Sequence, residues 1–220
     1  MGCEGGLTMK NKEIFLEKVL RFGHHEAIAV TVGESGEPHA AAMGVRLIRN
    51  NLVMYPYINT KTYRNIQAGS EVSLAFTHNA LVFCDVVMRP SRLRFKRGRR
   101  QSTFVLDADV DFYIEALPKH IVLEDQRALV FMSVAEVYEG VREYFSYSRA
   151  NSMLIEALVY FTKLRAYRFK SSLLSEDAKE WLNALQHSIS VVKKLGSSEL
   201  IECVKLICEE LRDLGVVVES

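Results

Sequence analysis

The chain has 220 residues, 49% of them apolar and 25% charged, a composition that excludes global disorder. Lys and Arg total 28 against 27 Asp and Glu, a net charge of +1, so the overall balance argues against a broad polyanion-binding surface. Only 4 Pro and 12 Gly exclude a linker-rich or fibrous chain, and the length suits one large domain or a domain with an appendage, at roughly 100–200 residues per domain.

Four cysteines are too few for a disulfide scaffold. Cys3 lies in the polar, glycine-rich start, Cys84 in an apolar run, and Cys203 and Cys208 five apart on a helix, on different faces. None has CxxC spacing and no His completes a zinc motif, so reduced structural thiols and no metal are expected. No apolar run approaches the ~18–20 residues of a membrane span. The start MGCEGGLTMKNKE lacks the apolar core of a signal peptide, and Met9 is a candidate natural start. A cytoplasmic protein is expected.

In chain order, Ile14, Phe15, Val19 and Phe22 mark an amphipathic helix over 10–22. Strands follow at 27–32 and 38–48 around the turn Gly33-Glu34-Ser35-Gly36-Glu37, then at 52–58 and 72–77. Between the last two, residues 60–68 have helix character, with Thr60 or Thr62 as cap and Gly69 as stop. Residues 81–88 are apolar and fit either a strand or a short helix. Two more strands are expected at 110–116 and 128–138. From residue 150 the period is helical, giving a long helix through Met153 and Leu164, another over 175–195 capped by Ser175 and stopped by Gly196, and a third over 198–214 closed by Gly215. Six short strands with tight turns, without β–α alternation, point to a small barrel with a helical appendage.

Three segments could carry chemistry. Residues 38–48, PHAAAMGVRLI, place three alanines and a glycine in a strand. Such small side chains serve either tight packing or the close approach of a flat ligand to the backbone. Residues 55–66, YPYINTKTYRNI, pass from strand to helix with Thr60, Lys61 and Thr62 at the helix start. This can be an ordinary cap or a phosphate site. The Asn65 amide could tie the turn to a strand or to a ligand. Residues 91–101, SRLRFKRGRRQ, hold a basic cluster at 92–100, read as a mobile or solvated loop, partly neutralised by Asp107, Asp109, Asp111 and Glu115 of the acidic stretch that follows, or as a nucleic-acid contact. No HExxH, GxSxG or GxGxxG motif is present, and no catalytic residue is assigned.

The segments AVTVGESGEPHAAAMGV (29–45), INTKTYRNI (58–66), LAFTHNALVF (74–83) and SRANSMLIEALVYFTKLRAY (148–167) together resemble the FMN-binding split-barrel superfamily of flavin reductase-like proteins. They are most similar to an uncharacterised, largely archaeal family that joins the barrel to C-terminal helices. The resemblance implies an α+β fold with a mainly β core: a six-stranded antiparallel split barrel over 24–148, preceded by an extension and short helix over 1–23 and followed by a helical region over 149–220. It implies a homodimer with FMN near the subunit interface and a small-molecule electron donor. By position, Ala41, Ala42, Met43, Gly44 and Val45 would lie along the ring, contacting it through backbone. Thr60, Lys61, Thr62 and Asn65 would hold the phosphate, Tyr57 and Phe83 would line the ring or ribityl chain, and Arg149 would make a cross-subunit contact. The family's usual Asn, Pro and Asp or Ser are here His39, Ala42 and Lys61. The expected function is an FMN-binding flavoprotein, with flavin reductase-like oxidoreductase activity. The alternatives are a non-catalytic flavin or phosphorylated-ligand module, and a nucleic-acid binder using the basic loop.

Overall fold

The structure, a computed structural model, describes residues 9–20, 24–49, 51–140, 148–167 and 175–213. Phe22, Gly215 and Cys3 lie outside them. Helix α1 (Met9–Val19) precedes strands β1 (His24–Val32), β2 (Pro38–Ile48) and β3 (Asn51–Met54). Helix α2 (Lys61–Gln67), β4 (Val72–Phe76) and α3 (Ala80–Met88) follow. The strands β5 (Phe95–Arg97), β6 (Phe104–Leu106), β7 (Phe112–Glu124) and β8 (Arg127–Glu139) lead to α4 (Arg149–Tyr167), α5 (Glu176–Leu195) and α6 (Ser198–Asp213).

Six strands close an antiparallel barrel in the order β1-β2-β3-β8-β7-β4, with β5 and β6 as a separate two-stranded ribbon. The turn between β1 and β2 needs a left-handed residue, and Gly36 supplies it at φ +86°. Ala27, Ala29, Met43, Val45, Leu52, Met54, Leu74, Ile114, Val130 and Met132 fill the lumen, and Leu16 and Leu20 of the N-terminal segment join that core. Strand β1 is buried from Ala27 to Thr31 without alternation, because both of its faces are covered. In β7 the register slips between Glu115 and Ala116 and again between Pro118 and His120. Pro118 has no N–H to give the ladder, and an irregular position is where a strand tolerates it.

The chain divides into two units, each described separately. One holds α1, α2 and all eight strands; the other holds α3 to α6. Residues 79–91, which a boundary at 148/149 would count with the barrel, therefore belong with the C-terminal helices. The physical reason is the ambiguous segment 81–88. It is a helix, begun by Asn79, whose side-chain oxygen accepts from Leu81 N–H at 3.0 Å, while Asn151 of α4 accepts from Ala80 N–H at 2.9 Å. Its residues Ala80, Val82, Phe83, Cys84 and Val86 are all buried, and α4 and α6 are the elements that cover them. No helix among the described residues is long and apolar enough to cross a membrane.

Candidate functional site

Strand β2 is paired with β1 along its length, from Pro38 with Val32 to Arg46 with His24, but β3 joins it only from Val45 to Ile48. The expected strand over 52–58 ends early, at Met54. Beyond it the chain stays with β8: Ala128 N–H donates to Pro56 O at 2.9 Å, Tyr57 bridges Arg127, and Ile58 N–H donates to Gln126 O at 3.0 Å. Pro56 cannot donate to a neighbouring strand. The barrel wall is therefore split by a seam, with Pro38–Gly44 on one side and residues 55–60 on the other.

The side chains of Met43 and Val45 point into the lumen core, whereas Ala41, Ala42 and Gly44 are half-buried. Met43 can therefore offer the seam only its backbone, and Val45, paired with Met54 of β3, lies outside the seam. Opposite Gly44 lies the His24 ring, whose Nδ1 would be 3.5 Å from a Cβ at that position.

Helix α2 begins beside the same seam. Thr60 is its cap: the hydroxyl accepts from Tyr63 N–H at 3.3 Å and donates to Tyr57 O at 2.7 Å, locking the turn. The N–H groups of Lys61 and Thr62, in the first turn, have no helical acceptor. Thr62 is buried. Asn65, also buried, donates through Nδ2 to Thr31 Oγ1 of β1 at 2.9 Å. Of the two roles open to that amide, tying the turn to a strand is the one seen.

Lys61 Nζ lies 3.1 Å from Glu37, the residue before β2. This ion pair joins the small-residue strand and the α2 start, two segments separated in sequence. The Ser35 hydroxyl, Glu37's own N–H and Lys61 hold the Glu37 carboxyl down to about 2. Burial, then Lys61, pushes His39 below the ordinary imidazole value. Tyr57 is held from the other side, with Arg127 Nη2 donating to its hydroxyl at 2.7 Å and the guanidinium 4.5 Å from the ring centre. Small side chains, an unpaired strand edge, an aromatic ring and the Lys61–Glu37 ion pair thus converge on one seam. That combination suits a flat ligand whose anionic end replaces Glu37 at Lys61.

Glu37, His39 and Arg127 were not selected from the sequence as contributors. The first two flank the alanine run and could have been found by pairing across the β1–β2 hairpin; Arg127 carried no local signal. Phe83 and Arg149 are not gathered by the barrel unit. Phe83 is buried in α3 and Arg149 is the exposed first residue of α4, both in the helical unit.

The basic segment 92–100 is exposed at Arg92, Arg94, Lys96, Arg97 and Arg99, as a solvated segment should be, and its residues Phe95–Arg97 form strand β5 of the ribbon. The N–H groups of Arg99 and Arg100 donate to the two carboxylate oxygens of Glu115 at 2.7 and 2.9 Å. The Arg100 guanidinium grips Glu71 at 2.5 and 2.7 Å. Lys96 pairs with Asp107 at 3.1 Å, Arg97 stacks on Phe104 and Arg99 on Tyr138. Among the described residues, two of its six cations, Lys96 and Arg100, are thus ion-paired within the unit.

Comparison with curated proteins finds no match. Among solved structures, the chain is similar to the FMN-bound protein MM1853 from Methanosarcina mazei, itself described as DUF447. The two are 19% identical with a TM-score of 0.69, covering 86% of this chain and 96% of that one. More distant likenesses are the flavin reductase HpaC complexed with NADP+ (15% identity, TM-score 0.47, 60% of this chain and 89% of that one) and the styrene monooxygenase flavin reductase of Pseudomonas putida S12 (12%, 0.46, 57% and 86%). Two family models match, the protein of unknown function (DUF447) N-terminal domain over residues 25–151 and the protein of unknown function (DUF447) over 148–209. Since the two together span most of the sequence, the chain belongs to the DUF447 family.

Proposed function

We propose that the chain binds FMN in the seam, with the ring along the open edge of β2 and the phosphate at the start of α2. One observation carries this reading: a protein of the same family, with the same fold over 86% of this chain, is FMN-bound. The residues fit that ligand. Ala41, Ala42 and Gly44 leave room for a planar ring, and the unpaired edge of β2 offers backbone donors and acceptors to its rim. Lys61, Thr62 and the first-turn N–H groups supply charge and donors for a phosphate. Thr60 and Asn65 position that turn through Tyr57 and Thr31, and Tyr57, steadied by Arg127, walls the seam.

Bound FMN would supply two-electron redox chemistry; the protein supplies position, electrostatics and access. We extend the reading to an oxidoreductase of flavin reductase type, taking electrons from a small-molecule donor, and to a homodimer with the cofactor near the subunit interface. The purified protein should be yellow, or take up added FMN stoichiometrically by absorbance. Colourless protein that takes up none overturns the reading. Lys61→Ala combined with Thr62→Ala should weaken FMN at least tenfold and leave riboflavin, which lacks the phosphate, nearly unaffected. The contacts removed are each worth about 1.5–3 kcal/mol. FMN-loaded protein that fails to oxidise NADH or NADPH would keep the binding and remove the oxidoreductase, and a monomer mass by light scattering would remove the dimer.

A further inference from the structure

In the helical unit, two cysteines separated by more than half the chain meet at a single arginine. Cys84 on α3 and Cys203 on α6 are both fully buried and free. Arg89 Nη2 is 3.6 Å from each sulfur, so both sulfurs lie against the same guanidinium nitrogen. Asp85, one turn before Arg89, holds the guanidinium through Nε at 2.7 Å. Among the described residues, the charged groups acting on the two sulfurs are Asp85 of α3 and Arg89, which caps that helix. The Cys84 thiol and then Arg89 lower the Cys203 thiol's proton affinity, while Cys203 and then burial raise that of Cys84. One sulfur is thus prepared as the nucleophile and the other keeps its proton, the division of labour that a dithiol oxidation needs.

We propose that Cys84 and Cys203 are a redox pair that closes a disulfide between α3 and α6 in response to hydrogen peroxide. The assignment rests on the geometry of the helical unit and is independent of the flavin reading. Both sulfurs are covered, which excludes a bulky disulfide as the oxidant and is why the proposal names the small molecule hydrogen peroxide. The Cys203 thiolate attacks a peroxide oxygen; an S–O bond forms, the O–O bond breaks, and the departing hydroxide takes a proton to become water. Cys203 is then a sulfenic acid. The Cys84 sulfur attacks it, the S–S bond forms, the S–O bond breaks, and the Cys84 proton leaves with the oxygen as a second water. Two thiols lose two electrons and one peroxide becomes two waters. Arg89 is a positioning residue: its guanidinium stabilises the Cys203 thiolate and stays aimed at both sulfurs because Asp85 holds it.

The test uses the full chain, reduced, exposed to a modest excess of hydrogen peroxide, quenched, alkylated in denaturant and digested with trypsin. Cleavage after Lys205 separates Cys203 from Cys208. The expected result is one cross-linked pair, Cys84 with Cys203, two hydrogens lighter than the free peptides and restored by dithiothreitol. Cys208→Ser should change nothing. Arg89→Met should slow the loss of the two thiols at least fivefold at pH 7. The deficit should close as pH rises past the ordinary thiol value of about 8.5, and Arg89→Lys should recover much of the rate. Free, alkylatable Cys84 and Cys203 after peroxide treatment, with oxidation confined to Cys208 or Cys3, would overturn the proposal. So would a stable sulfinic acid on Cys203 without cross-link. The mapping on the unmutated chain decides this even if an Arg89 variant fails to fold.

Discussion

Glu115 occupies a fully buried position in β7, where an unpaired carboxylate would be very costly. It is fully partnered. Two backbone N–H groups of the ribbon and the Tyr138 hydroxyl, at 2.7 Å, all donate to it, and the ribbon can approach because residue 98 is glycine: a Cβ there would collide with Glu115 Oε1 and Thr103 Oγ1. Glu115→Ala should destabilise the protein by about 3 kcal/mol or more, since it strips a buried network of its acceptor; urea unfolding measures this. Glu71 provides a pH handle. Hydrogen bonds from Arg100 hold its pKa below the ordinary carboxyl value. With the folded value depressed, its stabilisation is complete above the unfolded value of about 4.3 and is lost as pH falls through the folded one. The stability gap between the natural protein and Glu71→Gln should therefore be constant near neutrality and shrink below about pH 4, read from urea midpoints across pH. The acidic stretch from Asp107 to Glu115 was legible as a counterweight to the basic cluster, and Asp107 and Glu115 both meet it. Glu71, just before β4, has no local signal, and only the barrel brings it to Arg100.

Among the elements, strands and helices with a clear period or punctuation were readable. Strand β2 runs from Pro38 to Ile48, bounded by the residues that mark it in the sequence. Thr60 caps α2 and Ser175 caps α5 by accepting from Ala178 N–H. Helix α3 was not resolvable, because an apolar run of this kind has no polar phase to distinguish a period of two from 3.6. Its deciding signal was Asn79, an N-cap residue at the start of the run. Asn79→Ala should cost about 1 kcal/mol, with Asn79→Asp nearly neutral, measured by thermal unfolding. The end of β3 was overextended to Ile58 because Tyr55, Tyr57 and Ile58 have high strand propensity. Pro56 is what lets the chain leave β2 while keeping β8. The β5–β6 ribbon was missed since its strands have three residues each, shorter than any periodic pattern can show.

For the whole molecule, the order of the sequence and the order of the folding units differ. The helical unit takes α3 from the middle of the chain and α4, α5 and α6 from its end, so a cut between barrel and helices at residue 148 leaves α3 with its buried apolar side chains uncovered. The fragment 1–148 should accumulate in the insoluble fraction or elute as aggregate by size exclusion, whereas the full chain elutes as one species. The candidate site was legible to a similar depth. The small-residue strand and the Thr60–Lys61–Thr62 turn stand out locally, and the structure joins them through Glu37 and Lys61. The split that separates Ala41–Gly44 from Tyr57 is a matter of pairing and has no local signature.

That split also leaves the barrel with an open margin. Unpaired strand edges are templates onto which another chain can zip, and natural sheets blunt them with prolines and charges. Pro38 opens the exposed length of β2, Pro56 stands across from it, and Glu37 and Lys61 guard one end. These residues keep foreign strands out while leaving the margin accessible to something that is not a strand. A small flat occupant would finish the wall that β3 leaves incomplete, so holding it and resisting the addition of a foreign strand become one and the same structural requirement.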